Sequence, residues 1–230
     1  MAELARISGV WRSRDLPLAG QGLATGNAAL DQLLPTNGWP QGALTELLLE
    51  SEGVGELGLL LPAFAHCTQA GAWTAFVAPP YEACAPALQQ AGVELSRLLV
   101  VNVRTAEDRL WAAEQLLRSG SFAAVSLWPD QPGQSSQLDE RALRRLQLAA
   151  EQGQSCAFVW RASRAAQSAS PAALRLQVGV SRGRMKLDVL KVRGGRGRMP
   201  VPATAPTSIP VAPVLFGKSV SAARSAMGQY

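Results

Sequence analysis

No apolar run in the sequence approaches the ~18–20 unbroken residues that a membrane span needs. The start, MAELARISGV, also lacks the basic stretch and apolar core of a secretory signal. A cytoplasmic protein is expected, with no membrane contact and nucleoid-associated when bound to its partners. Cysteine is scarce. Cys67, Cys84 and Cys156 are odd in number, far apart and set in apolar stretches, with no C-x-x-C pair. That argues against a disulfide framework and for buried, reduced thiols. Histidine is scarcer still: His66 is alone, so a His–Cys metal site is improbable, and helix packing explains it better than base catalysis. Acids all but vanish after Trp160. Residues 161–200 carry eight Arg and two Lys against Asp188, whereas residues 1–160 carry ten Arg against sixteen acids. What is present is 230 residues, 47% hydrophobic, enough for one substantial core with tails.

The chain is organised around Leu44–Gln69, LTELLLESEGVGELGLLLPAFAHCTQ. The pattern predicts a buried strand (Leu44–Leu49), a glycine turn (Glu50–Gly55) and an apolar helix from about Glu56 to Gln69. That is the layout of a phosphate-binding loop. Such a loop uses glycines to aim backbone N–H groups at a polyphosphate. It needs a Lys for the outer phosphates and a hydroxyl for magnesium. Gly53 and Gly55 are in place, but Glu56 and Leu57 stand where the Lys and the hydroxyl belong. Glu50 and Glu52, on either side of Ser51, add two more carboxylates, and like charges this close repel a triphosphate. A strand–turn–helix that never held a nucleotide is the competing reading.

Elsewhere apolar strands alternate with helices. Strands are predicted at Trp73–Ala78, Leu98–Val101, Phe122–Trp128 and Ser155–Trp160. Helices are predicted after Asn27, through PPYEACAPALQQAG, after Thr105, and over Leu138–Gln152. This predicts an α/β fold with a mostly parallel central sheet flanked by helices. After Trp160 the pattern changes. RASRAAQSASPAAL suits a mobile loop. LRLQVGVSRGRMKLDVLKVRGGRGR predicts an antiparallel hairpin, with Leu174, Leu176, Val178 and Val180 on one face. The expected organisation is a lead-in over residues 1–22, a domain over 23–197, and a Pro/Ala-rich, largely disordered tail over 198–230. In the lead-in, Trp11 between Arg12 and Arg14 is a candidate protein-partner contact. The basic segment offers Arg161, Arg164, Arg175, Arg182, Arg184, Lys186, Arg193, Arg196 and Arg198 for DNA or an acidic protein surface.

Thr25, Gly26, Leu30 and Asp31, then Gly38, Pro40 and Gly42, then the degenerate loop, resemble the opening of the RecA recombinase core. The likeness continues through LLRSGSFAAVSLW and CAFVWRASR to LDVLKVRGGR, roughly residues 20–197. It implies a RecA-like core. It also places the water-activating acid at Pro79–Pro80 and the magnesium-supporting Asp at Trp128–Pro129, so cation, metal site and base are all replaced. The resemblance therefore implies no catalytic residue, no cofactor and no metal. The whole pattern, with VWRSRDL and the Trp160–Arg161 pair, is similar to the ImuA family of RecA-like proteins. That implies a non-catalytic role in SOS-induced mutagenic translesion synthesis. The implied partners are RecA and ImuB, with an error-prone DnaE-type polymerase indirectly and DNA as a further contact. The competing reading is a SulA-type division inhibitor that binds FtsZ.

Overall fold

The structure, a computed structural model, describes residues 22–51, 55–130, 138–181, 184–194 and 199–201, with the backbone of Phe216–Gly217. Strand β1 (Ala43–Leu49) is its axis. Six of its seven residues are buried. It pairs in parallel with β6 (Cys156–Ala162) on one side and β7 (Leu174–Ser181) on the other. A strand hydrogen-bonded on both edges and covered on both faces must be apolar throughout, and ALTELLL nearly is. Strands β2 (Trp73–Val77), β4 (Leu98–Val101) and β5 (Phe122–Leu127) continue the parallel set. The sheet runs β4-β2-β5-β6-β1-β7-β8-β9, closed by antiparallel β8 (Arg184–Val192) and β9 (Met199–Pro200).

Side-chain alternation splits the core in two. Leu47, Phe76, Phe158 and Trp160 point to one face, where α2 (Leu61–Gln69) brings Phe64. Leu44, Val125 and Val159 point to the other, under α4 (Ala106–Arg118) and α5 (Glu140–Gly153). Three of the helices begin on a side-chain cap. The Asn27 side chain accepts from the N–H groups of Ala29 and Leu30 at the head of α1 (Ala28–Leu33). Thr105 accepts from Asp108 N–H at 3.1 Å, and Asp139 from Ala142 N–H at 2.7 Å. The three cysteines are free. Burial pushes the thiol of Cys67 up to about 11 and that of Cys156 up to about 12, so neither is a ready nucleophile.

Four expectations need correction. The helix predicted from Glu56 is broken into a 3₁₀ turn (Glu56–Leu59) and α2. Pro62 has no N–H to donate back, so the α-helix restarts with proline in its first turn. In PPYEACAPALQQAG the helix is confined to α3 (Ala85–Gln90), because Pro86, not Pro80, opens it. Glu82–Ala83 is instead a short strand, β3, paired antiparallel with β10 (Phe216–Gly217). β9 and β10 fall within the span expected as the tail. The segment after β6 is not a mobile loop but a 3₁₀ turn, Ser163–Gln167. In the hairpin, Leu174, Leu176 and Val178 are buried as predicted. Val180, near the turn, has run past the core and is 46% exposed.

Candidate functional site

In open α/β sheets ligands bind beyond the carboxyl ends of the parallel strands. Three such ends carry the positions singled out in the sequence. After β1, Glu50 donates its N–H to Val178 O at 3.0 Å. Its carboxylate accepts from Gln177 Nε2 at 2.7 Å and lies so close over Gly179 that a Cβ there would collide with Oε2. This carboxylate is turned onto β7. Ser51 is exposed, and Gly55 takes the left-handed backbone that glycine allows, φ 78°. Glu56 is half-buried, and Leu57, at the expected hydroxyl position, is buried in the core. Glu52 and Gly53 lie outside the described residues.

After β2, Ala78 has φ 50° and is followed by Pro79 and Pro80, so no carboxylate is presented there. After β5 comes Trp128. Its indole stacks on Trp160 at 5.7 Å and 14°, and meets Phe76 edge-on at 5.5 Å. Trp160 is held in turn by a 2.8 Å hydrogen bond from its Nε1 to Ser126 Oγ. A dry aromatic cluster thus occupies the end of β5, where the resemblance had placed a metal-supporting Asp. Among the described residues no group of three His, Cys, Asp or Glu side chains could hold a metal.

The basic candidates divide sharply. Glu46, in the middle of β1, is fully buried. Arg161 reaches it from β6, with Nη1 2.5 Å from Oε1, and donates through Nη2 to Leu138 O at 3.0 Å. Arg175, its register partner on β7, brings Nε within 2.7 Å of Oε2, in ion contact but off the line of a hydrogen bond. The Arg175 guanidinium also donates to the carbonyls of Ala165 (2.6 Å) and Ser168 (3.1 Å), and at 3.4 Å to Ala166. The expectation that Arg161 and Arg175 face DNA or an acidic partner is corrected. A carboxylate desolvated in the sheet needs both guanidiniums inside. Sequence reasoning missed Glu46, and the signal was a lone acid inside an apolar strand.

Arg193 is half-buried, 3.6 Å from Glu151 and donating to Pro171 O at 3.4 Å. Lys186 pairs with Asp188 at 2.9 Å, and Arg184 is exposed at the hairpin turn. Arg164 is exposed and lines an open cleft of about 540 Å³ with Asp130, Asp139, Glu140 and Arg161. Because Arg161 is committed to Glu46, acids outweigh bases around this cleft. Trp11, Arg12, Arg14, Arg182, Arg196 and Arg198 lie outside the described residues.

The family described as the RecA N-terminal domain matches residues 15–127. This part of the chain is similar to the RecA N-terminal domain. RecA of Clavibacter michiganensis is 34% identical over 103 residues, 45% of this chain and 28% of that protein. RecA of Leifsonia xyli is 35% identical over 101 residues, 44% and 28%. RecA of Thioalkalivibrio sulfidiphilus is 32% identical over 105 residues, 46% and 30%. The matched part is therefore less than a third of the length of these RecA proteins. Among solved structures, SulA from Pseudomonas aeruginosa is 26% identical, covering 51% of this chain and 97% of that one, with a TM-score of 0.42. The matched span of the RecA-like domain contains Glu56, Leu57, Pro79 and Pro80 and stops one residue before Trp128. The basic segment after Trp160 lies beyond it. Among the described residues, no helix is long and apolar enough to cross a membrane.

Proposed function

We propose that this RecA-like domain is a non-catalytic accessory protein of SOS-induced mutagenic translesion synthesis, of the ImuA kind. In this reading it works by binding RecA and the ImuB polymerase-like protein. One observation carries the proposal. The Trp128–Trp160 stack fills the end of β5, and Leu57 sits in the core where a metal-binding hydroxyl would be needed. Phosphoryl transfer depends on a cation, a metal and a positioned base. At these positions no side chain supplies any of the three, while the sheet that presents them is complete. A scaffold of this kind is suited to docking. The error-prone DnaE-type polymerase is then reached indirectly, through ImuB.

The test has two arms. Calorimetry of the full chain with ATP and magnesium should show no binding, and micromolar affinity would overturn the non-catalytic reading. Purified chain should retain RecA and ImuB on beads at physiological salt, and loss of both would overturn the adaptor reading. If the chain instead blocks FtsZ polymerisation and filaments cells, the division-inhibitor reading replaces it. DNA contact is narrowed to Arg164, Arg184, Lys186 and Arg193 among the described candidates. If it exists, it must weaken steeply with salt.

A further inference from the structure

One strand stands outside the eight-stranded sheet. Among the described residues, β3 (Glu82–Ala83) pairs with β10 and with no other strand. It follows the carboxyl end of β2, after Ala78–Tyr81, and precedes α3. It therefore borders the strand-end site described above. Ala83 packs partly against the core, and Glu82 is exposed. Its partner strand comes from far away. β9 stands at one edge of the main sheet, and β2 lies next to the other edge. The chain thus reaches β3 from the far side of the sheet, not through a hairpin turn.

The antiparallel register sets Phe216 against Ala83 and Gly217 against Glu82. In sequence, Val214, Leu215 and Phe216 are the one run of three large apolar residues after Met199, in a stretch otherwise rich in proline and alanine. Lys218 comes next, opposite in sign to the exposed Glu82. A short apolar run of this kind suits strand addition, in which main-chain bonds supply affinity and alternate side chains supply selectivity. A ladder of two residues is marginal by itself. What favours it here is the tether, since a segment of the same chain competes at an effective concentration on the order of millimolar. A contact this small yields to an incoming strand that extends the ladder further.

We propose that β3 is a strand-addition site that the chain's own β10 keeps occupied, an autoinhibitory contact. Its competitor is an extended segment of a partner protein, an apolar run followed by a basic residue. That segment pairs antiparallel with Glu82–Ala83 once β10 leaves. The inference goes beyond the function proposed above and does not depend on RecA or ImuB being the partner.

The probe is a synthetic peptide of residues 211–220, VAPVLFGKSV, titrated into the isotope-labelled full chain and followed by amide chemical shifts. Phe216→Pro/Gly217→Pro removes both N–H groups of β10, so the chain's own segment cannot pair. The thermal melt of this variant should match wild type, because β10 is no part of the eight-stranded sheet. If the melt falls, Gly217→Pro alone is the milder variant, read the same way. Before peptide is added, the Glu82 and Ala83 amides should exchange with solvent at least tenfold faster in the variant than in wild type. The peptide should then shift those two amides in the variant and saturate. In wild type the same shifts should need at least tenfold more peptide. A peptide carrying the two prolines should shift neither chain. Equal titrations of the two chains would overturn the proposal. So would unchanged amide exchange, shifts confined to residues away from β3, or no shift in either chain at several millimolar peptide.

Discussion

At the scale of single residues, the largest stake is held by Glu46. A carboxylate with no exposure cannot stay charged in an apolar strand unless opposite charge comes to it, and two guanidiniums do. Glu46→Ala would leave Arg161 and Arg175 desolvated and mutually repelling. The expected cost is about 3–5 kcal/mol in urea unfolding, well beyond that of a typical surface substitution. Lys191 feels the same surplus of positive charge. Burial lowers its pKa below 10.5, Arg175 and Arg193 lower it further, and Glu46 opposes them. In the window between the lowered value and 10.5, the unfolded chain binds more protons than the folded one. Stability contributed by this site therefore rises with pH through that window, and the penalty is complete below it. Lys191→Met should flatten the alkaline rise of the unfolding midpoint measured from pH 7 to 10.5. An unchanged slope would remove Lys191 from the account.

At the scale of elements, the segment after β6 shows how a buried charge shapes a turn. RASRAAQSASPAAL reads as a loop because its residues are small and polar. The ordering agent is Arg175, remote in sequence from none of its targets but facing them only once β7 pairs with β1. Arg175→Met should therefore raise amide hydrogen exchange over residues 163–170 by an order of magnitude or more, while α4 and α5 keep their protection. Equal protection would mean that Ser163–Gln167 holds itself. The strands and the caps at Asn27 and Thr105 were legible because they depend on local pattern and spacing. The fate of Arg161 and Arg175 was not, because charge counts along a chain do not say which side of a sheet a side chain enters. Glu46 could have warned of it, since one acid among ALTELLL demands a partner. The break in the helix at Leu60 was also available, from Pro62.

At the scale of the whole molecule, the eight-stranded sheet holds a RecA-like order of elements while its strand ends are filled with packed hydrocarbon and indole. The sequence showed that the carboxylate and the cation were missing. It could not show that Trp128 and Trp160 stack, because that contact joins the ends of β5 and β6. The distinction bears on reversibility. On the proposed non-catalytic reading, restoring the loop's chemistry would bring turnover only if the loop alone stood in the way. Glu56→Lys with Leu57→Thr supplies the missing cation and hydroxyl, yet the new threonine would stand in a core position and the end of β5 would still present an indole in place of a carboxylate. Phosphate release from ATP by this double variant should stay at the buffer rate. The buried hydroxyl should cost about 1–3 kcal/mol of stability on top of the lost leucine packing. Measurable turnover would mean that metal and base can be supplied from elsewhere in the chain, and the docking role would then have to be argued beside an enzymatic one.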